Sequence, residues 1–421
     1  MRGDVYSGHR IGRKVSGSFH LFLPPPRARW GCGRLNCFHA FELVGDYEGG
    51  FAFVKKFLKE QGGKSKLAGQ VYDLIKGQAS VYGKEEAGAS ALSSARVVYV
   101  KGEPVTVRGH VVVDGQDLGD LPRAGVTPGR EKYTPETLDL MAIFFTLVKV
   151  LYHCGNISVL PDIVKVVEPA RLRSLEEVHT TTVHNENAYF MCISQLLAVR
   201  PGPAVNPRAL LGADDAPTKK PVYVCGDLHA LSPAWKEVGG RLLVPKLVTG
   251  LKHWHLREES VFYPKKSFHR TVAEIPKGAD VLFIFGEIDC REGLLVAVEK
   301  DRYEDLEEGM KTCVDIWMKE AGKVVEERGF RAMIHPVIPV LKETRKIVMN
   351  YNRIFKRAVA EHPSMVWLDI FDDFVELRGG EWELREEVRV RERGARGEET
   401  MLLANVTERD ELQILQTGRM R

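Results

Sequence analysis

The chain has 421 residues, long enough for two or three domains with real cores. Its 60 basic and 57 acidic residues leave a net charge of +3, which excludes the one-signed field of a dedicated nucleic-acid binder. Seven cysteines, odd in number and scattered, argue against a disulfide framework and for a reducing, cytoplasmic setting.

Residues 1–45 hold Pro24-Pro25-Pro26 and a Gly/Arg-rich run without sustained periodicity, and read as disordered. Arg2, Arg10, Arg13 and Lys14 against Asp4 resemble the charge of an organelle leader, but no apolar core of a secretory signal follows. Cys32 and Cys37 lack a second ligand pair downstream, so no zinc site is expected there. Residues 46–200 read as a helical or mixed α+β domain. Phe51, Phe53, Val54 and Leu58 share one helical face, and Leu67, Val71, Leu74 and Ile75 share another. Val97-Val98-Tyr99-Val100 and Val111-Val112-Val113 are short β-prone runs. Thr134 suits an N-cap and Pro135 the first helical position of an apolar helix reaching Tyr152. The core of that helix, Leu138 to Tyr152, is about fifteen residues long and carries Asp139 and Lys149, so a buried helix is expected and no membrane span. Ile157 to Val167 and Glu186 to Val199 continue the helical pattern, with His184 and Glu186 as capping residues. Residues 201–220, rich in Pro, Ala, Asp and Gly, read as a linker.

From 221 the text changes. Val222-Tyr223-Val224-Cys225 and Val281-Leu282-Phe283-Ile284-Phe285 are apolar strands ended by Gly226 and Gly286. Leu306, Met310, Cys313, Trp317, Ala321 and Val324 recur at three and four residues, a helix stopped by Gly329. A strand within Ala332 to Val340, a helix through Ile347, Tyr351, Phe355 and Ala358, and the strand Val366-Trp367-Leu368 complete the pattern. Fully apolar strands alternating with helices predict a parallel sheet covered on both faces. Functional groups of such a sheet gather at the carboxyl ends of its strands. Two segments take that position here: Gly226-Asp227-Leu228-His229 and Gly286-Glu287-Ile288-Asp289-Cys290-Arg291.

Those two blocks, with Leu247-Val248-Thr249-Gly250 and Phe262-Tyr263-Pro264-Lys265, resemble the SGNH (GDSL-type) hydrolases. The similarity is to a group with G-D-S-H and G-E-I-D-C-R motifs, and covers about 155 residues, 221 to 375. It implies a three-layer flavodoxin-like parallel sheet in 221–377, following the helical or mixed domain, with a charged tail over 378–421. It also implies acyl transfer: a motif serine attacks an ester carbonyl, and a histidine from a late D-x-x-H takes its proton. Gly250 then stands for the second-block glycine of the oxyanion hole, and Asp289 for the aspartate of the third block.

The chain departs from that pattern where the chemistry lies. Leu228 occupies the serine position and Ile288 the oxyanion asparagine. Asp369, Asp372, Asp373 and Asp410 are followed by no late histidine, since His362 is the last one. Beyond Arg378 the text is Glu/Arg/Gly, as in Arg385-Glu386-Glu387-Val388-Arg389. The expectation is therefore a catalytically degenerate SGNH-like domain that keeps a ligand pocket. Asp227, His229 and Asp289 are its residual catalytic candidates, and Gly226, Leu228, Gly250, Glu287 and Arg291 its binding candidates. The alternatives are an active esterase or acyltransferase, and a metal-dependent hydrolase.

The last alternative follows from Asp227-Leu228-His229, which also fits the D-x-H opening of calcineurin-like metallophosphoesterases. The G-N-H-D/E and G-H-x-H blocks of that family are absent. His253-Trp254-His255 has metal-ligand spacing but reads as a hydrogen-bonded pair, and Cys290 reads as buried despite its neighbour Arg291. Arg291 is either the ion-pair partner of Glu287 or the group that grips an anionic part of a ligand. The expected partner is a small-molecule or acylated ligand, with no cofactor, no metal and no nucleic acid; the oligomeric state is not legible.

Overall fold

The computed structural model describes residues 30–83, 99–100, 103–104, 132–171, 178–199, 207–211, 219–300, 302–338, 343–379 and 381–385. The β-prone run at 111–113, most of the expected linker and the tail from 386 lie outside them.

The chain order is α1 (Trp30–Val44), α2 (Tyr47–Gln61), α3 (Lys66–Ile75), then the short pair β1 (Tyr99–Val100) and β2 (Glu103–Pro104). Helices α4 (Pro135–His153), α5 (Leu160–Arg171) and α6 (His184–Val199) follow. α1 falls inside the stretch that the sequence marks as irregular; its Phe38 is buried against the other helices, which supplies the tertiary packing that the local pattern does not reveal. Thr134 caps α4 as expected, its Oγ1 accepting from Thr137 N at 3.2 Å, and Pro135 opens the helix. Every residue of α4 from Met141 to His153 is buried.

The second half alternates β3 (Lys220–Gly226), β4 (Glu237–Val238), β5 (Arg241–Leu247), α7 (Tyr263–Ala273), β6 (Asp280–Ile284), α8 (Leu294–Glu299), α9 (Leu306–Arg328), β7 (Arg331–Ile334), α10 (Arg345–Ala360) and β8 (Met365–Trp367). A four-residue α11 (Phe371–Phe374) then leads into the hairpin β9 (Val375–Arg378) and β10 (Glu381–Leu384). β10 lies in the stretch expected as a charged tail: Arg345 Nη1 donates to Trp382 O at 2.7 Å and holds the hairpin against α10. Six strands make one sheet in the order β4-β5-β3-β6-β7-β8, all parallel except the β4–β5 pair. This is an α/β architecture.

The pleat sorts the strand residues onto two cores. Cys225, Val281, Phe283, Ala332 and Ile334 face α7, α9 and α10, with Trp317, Tyr351 and Phe355 at the centre. Val222, Val224, Leu282, Ile284 and Met333 face the opposite way and share a core with α1 to α6. The helical region is therefore a layer on the sheet rather than a unit with its own core. The reason lies in the connections. From β3 to β5 the chain makes only a 3₁₀ turn, Leu228–Leu231, and β4, and after β8 only α11, so no long helix of the second half covers that face. Two bonds pin the layer there: Trp235 Nε1 donates to Tyr152 O at 2.6 Å, and Tyr152 Oη donates to Leu231 O at 3.3 Å. Among the described residues no helix is long and apolar enough to cross a membrane.

Candidate functional site

β3 lies between β5 and β6, so the segments that leave these three strands at their carboxyl ends are neighbours. Gly226 closes β3 where a Cβ would come within 2.5 Å of Ile284 O, so only glycine lets β3 and β6 run this close. Asp227 then caps the 3₁₀ turn. Its Oδ1 accepts from His229 N at 3.0 Å and lies 2.9 Å from His229 Nδ1. A carboxylate only accepts, so Nδ1 carries the proton and Nε2 is the free nitrogen of the ring. Asp227 is 3% exposed, and its Oδ2 has no hydrogen-bond partner among the described residues. Burial alone would lower the His229 pKa, but the charge and hydrogen bond of Asp227, with Glu287 adding, hold it above the ordinary 6.5.

After β6, Gly286 adopts φ +106°, and Glu287 is buried behind it. Burial raises the Glu287 pKa, opposed by His229 and Arg291. Arg291 Nε sits 3.5 Å from Glu287 Oε1 but its side chain is 45% exposed, so the pair adds little to stability. Asp289 to Gly293 form a π-helical turn, a distortion frequent at functional sites. Asp289 is hydrogen-bonded to backbone rather than to Asp227 or His229, although the Asp227 charge reaches it. It is 1% exposed, and its carboxylate accepts from His253 N at 2.8 Å and from Trp254 N, tying the turn to the loop after β5.

Leu228 is half-buried and packs on the core shared with the helices. Gly250, at φ +71°, follows β5 in the loop whose Val248 N donates to Gly226 O at 2.8 Å. Cys290 is buried and its thiol is pushed well above its ordinary pKa, so it is no activated nucleophile. His253 and His255 are not a ligand pair: His253 Nδ1 lies 2.6 Å from Tyr351 Oη, while His255 Nδ1 accepts from Lys252 N at 3.1 Å. Among the described residues no group of three or more His, Cys, Asp or Glu is arranged to hold a metal.

One residue near this end of the sheet escapes the sequence motifs. His335 directly follows β7, the strand next to β6, and is close enough to His229 for the two to repel when charged. Its Nδ1 lies 2.7 Å from Pro336 O, a pure acceptor, which fixes the Nδ1–H tautomer; burial lowers its pKa to about 4. The signal was available, since a histidine directly after Ala332-Met333-Ile334 sits at a strand end by the same rule as Asp227. A cavity of about 550 Å³ lies apart from all of these, between α8, α9 and α10, lined by Leu306, Met310, Ile347, Asn350 and Arg353 among others. Comparison with known proteins finds no matching family model, no matching curated protein and no matching solved structure.

Proposed function

We propose that residues 221–377 are an SGNH-like domain of flavodoxin-like order that has lost serine ester hydrolysis and keeps a small-molecule site at its strand ends. The order of the parallel strands supports the fold: numbered along the chain, β5-β3-β6-β7-β8 run 2-1-3-4-5. The observation that carries the functional reading is the turn after β3. Where a nucleophile would stand, Leu228 packs into the apolar core, while the polar groups beside it, Asp227 and His229, bond to each other. Asp369, Asp372 and Asp373 follow β8 with no histidine after them.

The intact 2.9 Å Asp227–His229 pair favours a second reading, an esterase or acyltransferase that uses this imidazole as base without a serine. Activated short-chain esters and a fluorophosphonate label separate the two. The degenerate site gives neither turnover nor labelling, and the second reading gives turnover without labelling. Labelling together with turnover would reject both.

A further inference from the structure

We infer that the strand-end site takes a neutral, hydroxyl-bearing small molecule of the polyol or sugar class, and that the helical layer supplies one wall of it through Tyr189. This rests on the reading of the strand ends as a ligand site.

Tyr189 belongs to α6, in the half of the chain for which no motif suggests a role. It is 8% exposed, and its hydroxyl interacts with Thr249, in the loop after β5, within electrostatic reach of Asp227. A chain of buried and half-buried polar groups stands behind it. Lys149 Nζ lies 4.5 Å from the centre of the Tyr189 ring and 2.6 Å from Glu42 Oε1. His39 then bridges Glu42 at 3.3 Å and Glu186 at 3.1 Å. Contacts from α1, α4 and α6 hold the tyrosine in place before any ligand arrives, as a binding wall requires.

The second observation is the orphan oxygen. Asp227 Oδ1 is satisfied by His229, but Oδ2 is buried with no partner among the described residues. Leaving such an acceptor unpaired costs about 1–3 kcal/mol, and only a group bearing O–H or N–H relieves it. Charge selects between them. Asp227 with His229, Lys149 with Glu42 and Arg291 with Glu287 offset one another, so an ammonium would add an unmatched positive charge and a phosphate or carboxylate an unmatched negative one. A hydroxyl meets neither penalty, and the Thr249 and Tyr189 hydroxyls can each donate to or accept from its neighbours.

The test uses the full chain with ¹⁵N-labelled histidine, following the His229 ring nitrogens during titration with methyl β-D-glucopyranoside, glycerol, methylammonium and inorganic phosphate. His229→Gln identifies the resonance. A saturable shift is expected with the two hydroxylated probes alone, weakened about five- to tenfold by Tyr189→Phe, the loss of one hydrogen bond. No saturable shift with either polyol would mean that water alone occupies the oxygen, and would overturn the proposal. So would binding unchanged by Tyr189→Phe. Saturation by phosphate or methylammonium instead would reject the ligand class while leaving the strand-end site standing. Fluorophosphonate labelling with ester turnover would strike at the degenerate-site reading separately.

Discussion

Lys149 Nζ and Glu42 Oε1 meet at 2.6 Å with their side chains only 4% and 12% exposed, so a helix otherwise buried in apolar neighbours carries a cation matched by one carboxylate from α1. Removing one member of such a pair leaves a buried charge uncompensated, whereas replacing both by apolar groups does not. Glu42→Leu is expected to destabilise the protein by about 3–5 kcal/mol. Glu42→Leu combined with Lys149→Met should recover most of that loss. Urea unfolding of wild type and the two variants checks it; Glu42→Leu as stable as wild type would mean that the pair does not fasten α1.

The same cluster sets a pH dependence. Burial would raise the Glu42 pKa, but the Lys149 charge and the His39 bond outweigh it and bring the pKa from 4.5 to about 2. Burial would lower that of His39, but Glu186 and Glu42 outweigh it, and the net shift is upward from 6.5. A depressed carboxyl contributes stability above about pH 4.5 that is lost as pH falls toward 2. A raised imidazole contributes stability below 6.5 that is lost as pH rises through its folded value. Wild type should therefore lose stability more steeply than His39→Gln as pH rises above 6.5. His229 adds a similar slope to both proteins, so the difference between them isolates His39 from Glu42, Glu186 and Lys149. Parallel stability–pH curves would contradict this.

Asp289 works with the opposite sign. Burial raises its pKa from 3.8 to about 7, against the two backbone N–H groups that favour the charged form. A raised carboxyl opposes folding once the unfolded chain ionises, so stability is lost as pH rises from about 4 to about 7. Asn at this position keeps an oxygen that accepts from His253 N and cannot ionise. Asp289→Asn is expected to match wild type near pH 3 and to exceed its stability above pH 7, read by urea unfolding at both values. A less stable variant at high pH would show that the charge is needed where it lies.

Much of the sheet is legible in the sequence because β3, β6 and β7 are apolar runs with abrupt ends, and the first two meet a glycine. β5 is not, because Pro245 interrupts Leu242-Leu243-Val244 and a proline argues against a paired strand. In the fold, β4 pairs with Arg241 and Leu242, and Lys236 and Trp235 bond Leu243; among the described residues the outer side of β5 has no strand partner beyond that, so the missing N–H of Pro245 costs no ladder bond. The grouping of Asp227, His229, Glu287 and Arg291 follows from the strand-end rule alone. The structural use of Asp289, the tautomer of His335 and the arrival of Tyr189 from the other half of the chain do not. Each depends on a partner 36 or more residues away, or on a carbonyl whose direction only the folded backbone sets.

Placing a serine at position 228 should not create an esterase. In Leu228→Ser the new hydroxyl would keep a high pKa and need a base, whose absence ordinarily removes roughly 10²- to 10⁴-fold of rate. His229 is the adjacent imidazole, and its bond through Nδ1 to Asp227 leaves Nε2 free, but it sits one residue along the same turn, so the two side chains leave the backbone in different directions. His335 offers a neutral Nε2, but its Nδ1 donates to a backbone carbonyl, with no carboxylate to stabilise an imidazolium. On the proposed SGNH-like reading Ile288 takes the place of the oxyanion asparagine, which removes a side-chain donor that would sustain residual rate. Wild type, Leu228→Ser and Leu228→Ser with His229→Ala are therefore expected to be equally inert toward activated acyl esters and unlabelled by a fluorophosphonate. If Leu228→Ser labels and turns over while the double variant does neither, His229 is a competent base, and a single substitution separates this site from an active one.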